Sequence, residues 1–290
     1  MRVVQSTLFR PGPVIDLAIV RIVWVAFQLF WLLVGAGRER LLQANSLDGY
    51  GFDPLPILQL LALPLGGAAR LDAESMLAVH AATMLAGTLA LIGLATRTSL
   101  AVLAWGSAMI AAWVYSHGTF HHDEALMIVA LAALALAPSG HALSIDARLR
   151  KGQNESEFAR WPLLLTRGLV ALAYLSAAAA KIGRCGGLGW TEGGTLQYWS
   201  YVKARELGAP FGVWVSEHPG VAQALSCAVL AFEITFVVTL FLPRVRWAYI
   251  ALGTMIHIMT QLTLGVQFYQ FVLLYLAFTP WRKGRGISSK

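Results

Sequence analysis

Eight stretches of this chain are too apolar to sit in water: about 14–36, 74–95, 97–117, 124–138, 160–181, 219–242, 245–263 and 267–281. Most approach or exceed the roughly 20 residues that a helix needs to cross a ~30 Å hydrocarbon core. Of the 290 residues 57% are hydrophobic and 13% charged, with a mean hydropathy of +0.63. A soluble fold of this size would be left with large exposed apolar patches. The expected fold is all-α, a polytopic transmembrane helical bundle of about 8 spans in a single domain covering residues 1–290. The segments at 124–138 and 267–281 are short, so 7 spans plus a re-entrant segment is the alternative. Pro54, Pro56 and Pro64 bracket a short apolar run expected to lie at the interface. The first segment follows Arg2 and Arg10, as a signal peptide would. Its apolar run is too long and no small-residue cleavage site follows, so it reads as a retained helix.

A net charge of +7 and a pI near 9.7 would by themselves suit a nucleic-acid binder. The placement of the 22 basic residues argues otherwise. With both termini cytoplasmic, 13 fall in inner segments, 6 in outer loops (Arg38, Arg40, Arg70, Arg184, Lys203 and Arg205) and 3 within spans (Arg21, Arg167 and Lys181). That bias is the positive-inside pattern of a multi-pass protein of the cell's inner (plasma) membrane. The bilayer is thus the expected partner, and nucleic acid is not. Two loops are long, 37–73 and 182–218, both expected outside. Cys185 and Cys227 are too few for a disulfide framework. No internal repeat, low-complexity tract or second soluble domain is visible.

Ionisable groups inside a bilayer are costly and are functional candidates by default. Counting ~1.5 Å per helical residue places Lys181 at the outer end of the fifth span and His80 about six residues below the outer end of the second. His257 falls near the midplane of the seventh, with Gln261 one turn further out. His117, His121, His122, Asp123 and Glu124 form the outer turn between the third and fourth spans. These groups can line one cavity open to the outer face. Asp16, Arg21, Arg167 and Glu233 fall in the inner half, where the plain reading is mutual neutralisation or contact with headgroups; a proton relay at Glu233 is the sharper one.

The outer groups also have plain readings. A lone histidine such as His80 commonly bonds a carbonyl, the His-His-Asp-Glu run suits a solvated loop, and a terminal lysine commonly snorkels. Lys181, however, follows Ala177–Ala180 and precedes Gly183, a small-residue environment in which helices approach closely. Desolvation there favours the neutral amine, a competent general base.

Around Lys181 the local pattern becomes specific. The stretch Tyr174-Leu175-Ser176-Ala177-Ala178-Ala179-Ala180-Lys181-Ile182, followed by Trp190-Thr191-Glu192-Gly193 and the aromatics Tyr198, Trp199 and Tyr201, resembles the HTTM family. This is the membrane domain shared with vitamin K-dependent gamma-carboxylase. The likeness continues in Leu143-Ser144-Ile145-Asp146 and in His257-Ile258-Met259-Thr260-Gln261-Leu262, and runs over most of residues 10–282. It implies a membrane enzyme in which Lys181 deprotonates a reduced naphthoquinone. Reaction with oxygen then forms an epoxide and a strong base. That base removes a proton from a glutamate gamma-carbon, which captures carbon dioxide. The activity implied is a carboxylase with hydroquinone epoxidase activity, its site toward the outer face. The resemblance carries a further role to His122, with His121 equally placed by register, and matches His257 to the family's deep histidine. Asp123, Glu124, Trp190, Gln261 and His80 complete the expected quinone-binding set, with no metal. The expected partners are a quinone and a glutamate-containing peptide or protein. The turn departs from the family's Asn-His by reading His121-His122-Asp123-Glu124, and the carboxylase's propeptide-gripping region has no counterpart expected here, so the acceptor stays open.

Two other classes stand beside this reading. One is a histidine-ligated haem or metal protein, using the His117–Glu124 turn or a His80–His257 pair, although no strong metal signature or Cys-x-x-Cys-His is present. The other is a non-catalytic transporter or assembly partner, against which stands the lack of internal symmetry.

Overall fold

The computed structural model describes residues 11–47, 50–118, 124–150, 152 and 154–279, and these are mostly helical. Each of the eight apolar stretches contains a helix. They are α1 (Val14–Leu33), α4 (Ala73–Ile92), α5 (Thr96–Tyr115), α6 (Ala125–Leu136), α8 (Trp161–Arg184), α11 (Pro219–Thr235), α13 (Arg246–Leu264) and α14 (Tyr269–Leu274). Between them lie α2 (Ala36–Ser46), α3 (Pro56–Leu61), α7 (Ile145–Arg150), α9 (Gly194–Leu207), α10 (Gly212–Glu217) and α12 (Val238–Phe241). Among the described residues five segments are long and apolar enough to cross a membrane: Val14–Ser46, Ala73–Ile92, Thr96–Tyr115, Trp161–Arg184 and Pro219–Phe241. Large apolar side chains such as Leu85, Leu172 and Phe241 stay exposed on these helices. In water that exposure would drive aggregation; in lipid it is the expected outer surface.

Three details differ from the pattern of the sequence. The stretch 219–242 is not one helix, because the α-helical ladder lapses at Phe236 and Val237 and resumes as α12. The last apolar stretch keeps only six α-helical residues before tightening into a 3-10 turn at Tyr275–Phe278. The expected long loops at 37–73 and 182–218 are largely helical. Their helices α2 and α9 mix charged and apolar side chains, so they lack the continuous apolar run that marks a span.

The chain divides into two compact units, residues 1–166 with 279–290, and residues 167–278, the boundary falling inside α8. In the first unit α4 packs on α1 and α5, and α5 on α6. Trp31, Leu32, Leu41, Met76, Met109 and Trp113 belong to one buried cluster there. Helix α4 starts from a reciprocal cap, Ser75 N–H donating to Asp72 Oδ1 and Asp72 N–H to Ser75 Oγ, each at 2.8 Å. This arrangement satisfies two of the donors that a helix start leaves free.

At the opposite end of α4 the chain turns sharply into α5. Gly93 takes φ +72°, and a Cβ there would collide with Ser144. Asp146 closes the turn by accepting from Ala95 N–H at 3.0 Å and from Thr96 N–H and Oγ1–H at 2.7 Å each. Arg21, fully buried on α1, donates to the carbonyls of Ser139 at 2.9 Å and Leu143 at 2.6 Å. The Leu143–Asp146 motif therefore has a structural account: it ties three helix ends together. A two-stranded antiparallel pair, β1 (Gly12–Pro13) with β2 (Glu155–Ser156), lies before α1 and α8.

In the second unit α9 packs against α10, α11 and α13, and the 3-10 turn Leu188–Glu192 packs against α11.

Candidate functional site

Lys181 sits in the last turn of α8, beyond four alanines whose strong helix propensity keeps the helix regular up to it. Its ammonium donates to Glu233 Oε1 on α11 at 2.6 Å and stands 5.2 Å from the centre of the Trp190 ring. The two charged side chains are only 20% and 9% exposed, so the pair is largely sheltered from solvent. Such a pair is favourable only where its geometry is good and the aromatic face helps hold the cation. Glu233 Oε2 and Trp190 Nε1 are both buried and have no hydrogen-bond partner among the described residues. The amine is thus held on one side, while an acceptor and a donor beside it have capacity to spare.

The position of Trp190 follows from Gly193. The 3-10 turn ends there at φ +85°, and a Cβ on Gly193 would lie 2.6 Å from the Gln223 backbone nitrogen. Only glycine combines that dihedral with so close an approach. The Trp-x-x-Gly spacing therefore seats the turn directly on the backbone of α11, the helix that carries Glu233. Ser226 lies on the same face of α11 two turns earlier, and its Oγ is likewise buried without a partner.

Seven residues before Lys181, on the same face of α8 and ~10 Å along its axis, lies Tyr174. Its hydroxyl is 2.8 Å from His257 Nε2 on α13 and also hydrogen-bonds the Tyr275 hydroxyl. Phe271 and Phe268 flank His257, with ring centroids 5.4 and 5.1 Å away. Phe232, the neighbour of Glu233, packs edge-on against Tyr174 at 5.0 Å. Gln261, one turn beyond His257, donates to the Tyr269 hydroxyl at 2.8 Å. One face of α8 thus presents two polar centres within an aromatic lining, the Lys181–Glu233 pair and the Tyr174–His257–Tyr275 chain.

Of the residues expected from sequence, Lys181, Trp190, His257 and Gln261 belong to the second unit. His80 and Glu124 belong to the first. There His80 Nε2 is 2.8 Å from the Leu32 carbonyl, the plain reading of a lone helical histidine, and Glu124 accepts from Arg40 at 2.5 Å. His121, His122 and Asp123 lie outside the described residues. Among the described residues no group of three or more His, Cys, Asp or Glu side chains is placed to hold a metal. The imidazoles offered as a haem pair each have a protein partner at Nε2.

Depth counting assigns Glu233 to an inner set with Asp16, Arg21 and Arg167, and the structure corrects this. Arg21 and Arg167 donate to backbone carbonyls, Arg167 to Ala277 at 2.7 Å, while Glu233 joins Lys181. Counting rises from helix ends assumes that the ends are level, and the Lys181–Glu233 contact shows that those of α8 and α11 are offset. Tyr174 and Tyr275 were likewise missed as polar partners. The i,i+7 spacing of Tyr174 and Lys181 was the available signal.

The family model described as HTTM domain matches residues 9–280, nearly the whole chain. No curated protein and no solved structure matches it.

Proposed function

The chain belongs to the HTTM family, membrane proteins related to the vitamin K-dependent carboxylase-like proteins, and from this premise we propose that it is a quinol-using membrane enzyme whose proton acceptor is Lys181 held by Glu233. The observation that carries the reading is the sheltered Lys181–Glu233 pair under Trp190, with Glu233 Oε2 and Trp190 Nε1 still open to a ligand.

These groups fit a reduced naphthoquinone. An aromatic diol needs a base at one hydroxyl, a hydrogen-bond partner and a ring to lie against. Lys181, Glu233 and Trp190 supply these in turn, and Tyr174 and His257 extend the polar lining along α8. A bound hydroquinone would supply the electrons with which oxygen is activated. The chain's own task is proton handling and exclusion of water. With the pair short of one proton, the Lys181 amine takes a proton at Nζ, and the Glu233 carboxylate stabilises the ammonium formed. The aromatic side chains around Tyr174 keep the neighbourhood dry, which strengthens that attraction. Carbon dioxide capture at a glutamyl acceptor is the family-derived extension of this chemistry. The site faces the outer side of the plasma membrane in the orientation that the basic residues favour, and His122 or His121 is the further candidate from the outer turn.

The test is Lys181→Ala in the purified full-length chain, with oxygen uptake and quinone epoxide measured from a naphthohydroquinone. Loss of both with unchanged helicity and extraction behaviour is expected; unchanged turnover overturns the assignment.

A further inference from the structure

The first unit holds two adjoining cavities that the proposed chemistry does not use. One, of about 320 Å³, is lined by Arg97, His141 and Arg150 together with Asp146. The other, of about 410 Å³, shares Arg97, Pro138 and His141 with it and continues along Glu155, Glu157 and Phe158. Asp146 accepts from the Ala95 and Thr96 donors and keeps its charge near Arg150, so the first cavity sets two guanidinium groups and an imidazole against one carboxylate and stays basic on balance. His141 Nδ1 is buried there and has no partner among the described residues. Across the shared wall the lining turns acidic. A ligand spanning both cavities must therefore carry an anion and a cation on one small framework.

The level of these cavities narrows the choice. Thr96 opens α5, Ala137 follows the end of α6 and Trp161 opens α8, so the lining sits where apolar helices begin and end, at headgroup depth. Basic pockets between helix ends on this Arg-rich side are suited to phospholipid headgroups. A phosphodiester alone would satisfy Arg97 and Arg150 but not Glu155 and Glu157.

We propose that these cavities hold the phosphoethanolamine headgroup of a membrane lipid, its phosphate on Arg97 and Arg150 and its primary ammonium on Glu155 and Glu157, with Phe158 beside the chains. Planar guanidinium groups suit the phosphate oxygens. A primary ammonium can donate hydrogen bonds to the two carboxylates, which a quaternary one cannot. None of the lining residues belongs to the Lys181 pair, so the proposal does not depend on the quinol reading.

The test uses the full-length chain in micelles doped with dioleoyl phosphatidylethanolamine, phosphatidylcholine or phosphatidylglycerol, with retained lipid counted by native mass spectrometry. Phosphatidylethanolamine is expected to be retained about three- to fivefold better than phosphatidylcholine, the scale of a partly exposed ion pair. Arg97→Gln or Arg150→Gln, both at exposed positions with folding checked by circular dichroism, weakens retention about tenfold or more. Glu155→Gln with Glu157→Gln erases the preference over phosphatidylcholine while leaving phosphate-dependent retention in place. Equal retention of all three lipids, or no effect of either arginine variant, overturns the site. Preference for phosphatidylglycerol overturns the acidic half. Equal binding of soluble phosphorylethanolamine or inorganic phosphate overturns the lipid as the source of the group.

Discussion

Asp146 and Glu233 are both carboxylates held against apolar helices, yet they are wired differently. Asp146 faces backbone and hydroxyl donors of Ala95 and Thr96, and both of its oxygens are engaged. Arg21, a buried cation of that region, turns both terminal nitrogens to backbone carbonyls, its Nε alone lacking a partner among the described residues. Glu233 has one side-chain partner, Lys181, and an oxygen left over, beside an indole N–H that is also left over. A polar group that only secures a fold tends to be saturated by backbone, because an orphaned donor or acceptor in an apolar setting costs about 1–3 kcal/mol. Leftover capacity next to a titratable pair is what the proposed quinol site would use.

If this contrast is right, variants in the two regions separate activity from stability. Lys181→Ala should lower quinol turnover by about 10²–10⁴-fold, the usual contribution of a general base, while the thermal unfolding midpoint moves little because Glu233 can take up a proton. Asp146→Ala should do the reverse. A large loss of turnover in the Asp146 variant at intact helicity would break the comparison. Glu233→Gln comes next: it keeps a hydrogen bond but removes the charge that steadies the ammonium. Turnover should fall about ten- to a hundredfold, the range of a charge-assisted bond, with the hydroquinone KM affected less than kcat.

The predicted effect of Gly193→Ala is smaller and mixed. An added Cβ meets the α11 backbone in a left-handed conformation, which costs about 1–3 kcal/mol of overpacking and strain. Because Trp190 rides on that turn, turnover should drop along with the unfolding midpoint, unlike either carboxylate variant. Full activity at reduced stability would show that Trp190 is not needed over Lys181.

The apolar helices could be read directly, since hydrophobic runs follow from the bilayer's thickness and little else competes with it. Lys181 could also be singled out, through its small-residue flank, and the Trp190–Gly193 turn through the family resemblance. Glu233 was not, because its partner lies 52 positions away and depth along a helix does not reveal a vertical offset between two helices. Tyr174 and Tyr275 were passed over because a tyrosine in an aromatic-rich span looks like packing until a second hydroxyl is placed against it. Asp146 was legible only as part of a resemblance. Its donors belong to Ala95 and Thr96, and no periodicity predicts that a carboxylate in the first turn of α7 will cap a helix that begins 50 residues earlier.

The gentlest test of the contrast is acid. Burial pushes the Asp146 carboxyl up, but hydrogen bonds from the Thr96 backbone and hydroxyl and from Ala95, with Arg150 nearby, outweigh it and hold the group below its ordinary value of 3.8. A carboxyl depressed in the folded state contributes stability that is complete above pH 3.8 and is lost as pH falls through the lower folded value. The wild-type unfolding midpoint should therefore decline in that acid window. Asp146→Asn, which keeps one acceptor and has no proton to gain, should start about 1 kcal/mol less stable at neutral pH, the margin of charge-assisted over neutral hydrogen bonds. Its decline should be shallower, so that the two curves converge as the pH falls. Parallel curves would mean that the caps at Ala95 and Thr96 draw nothing from the negative charge, and the distinction between a saturated carboxylate and an open one would then rest on Glu233 alone.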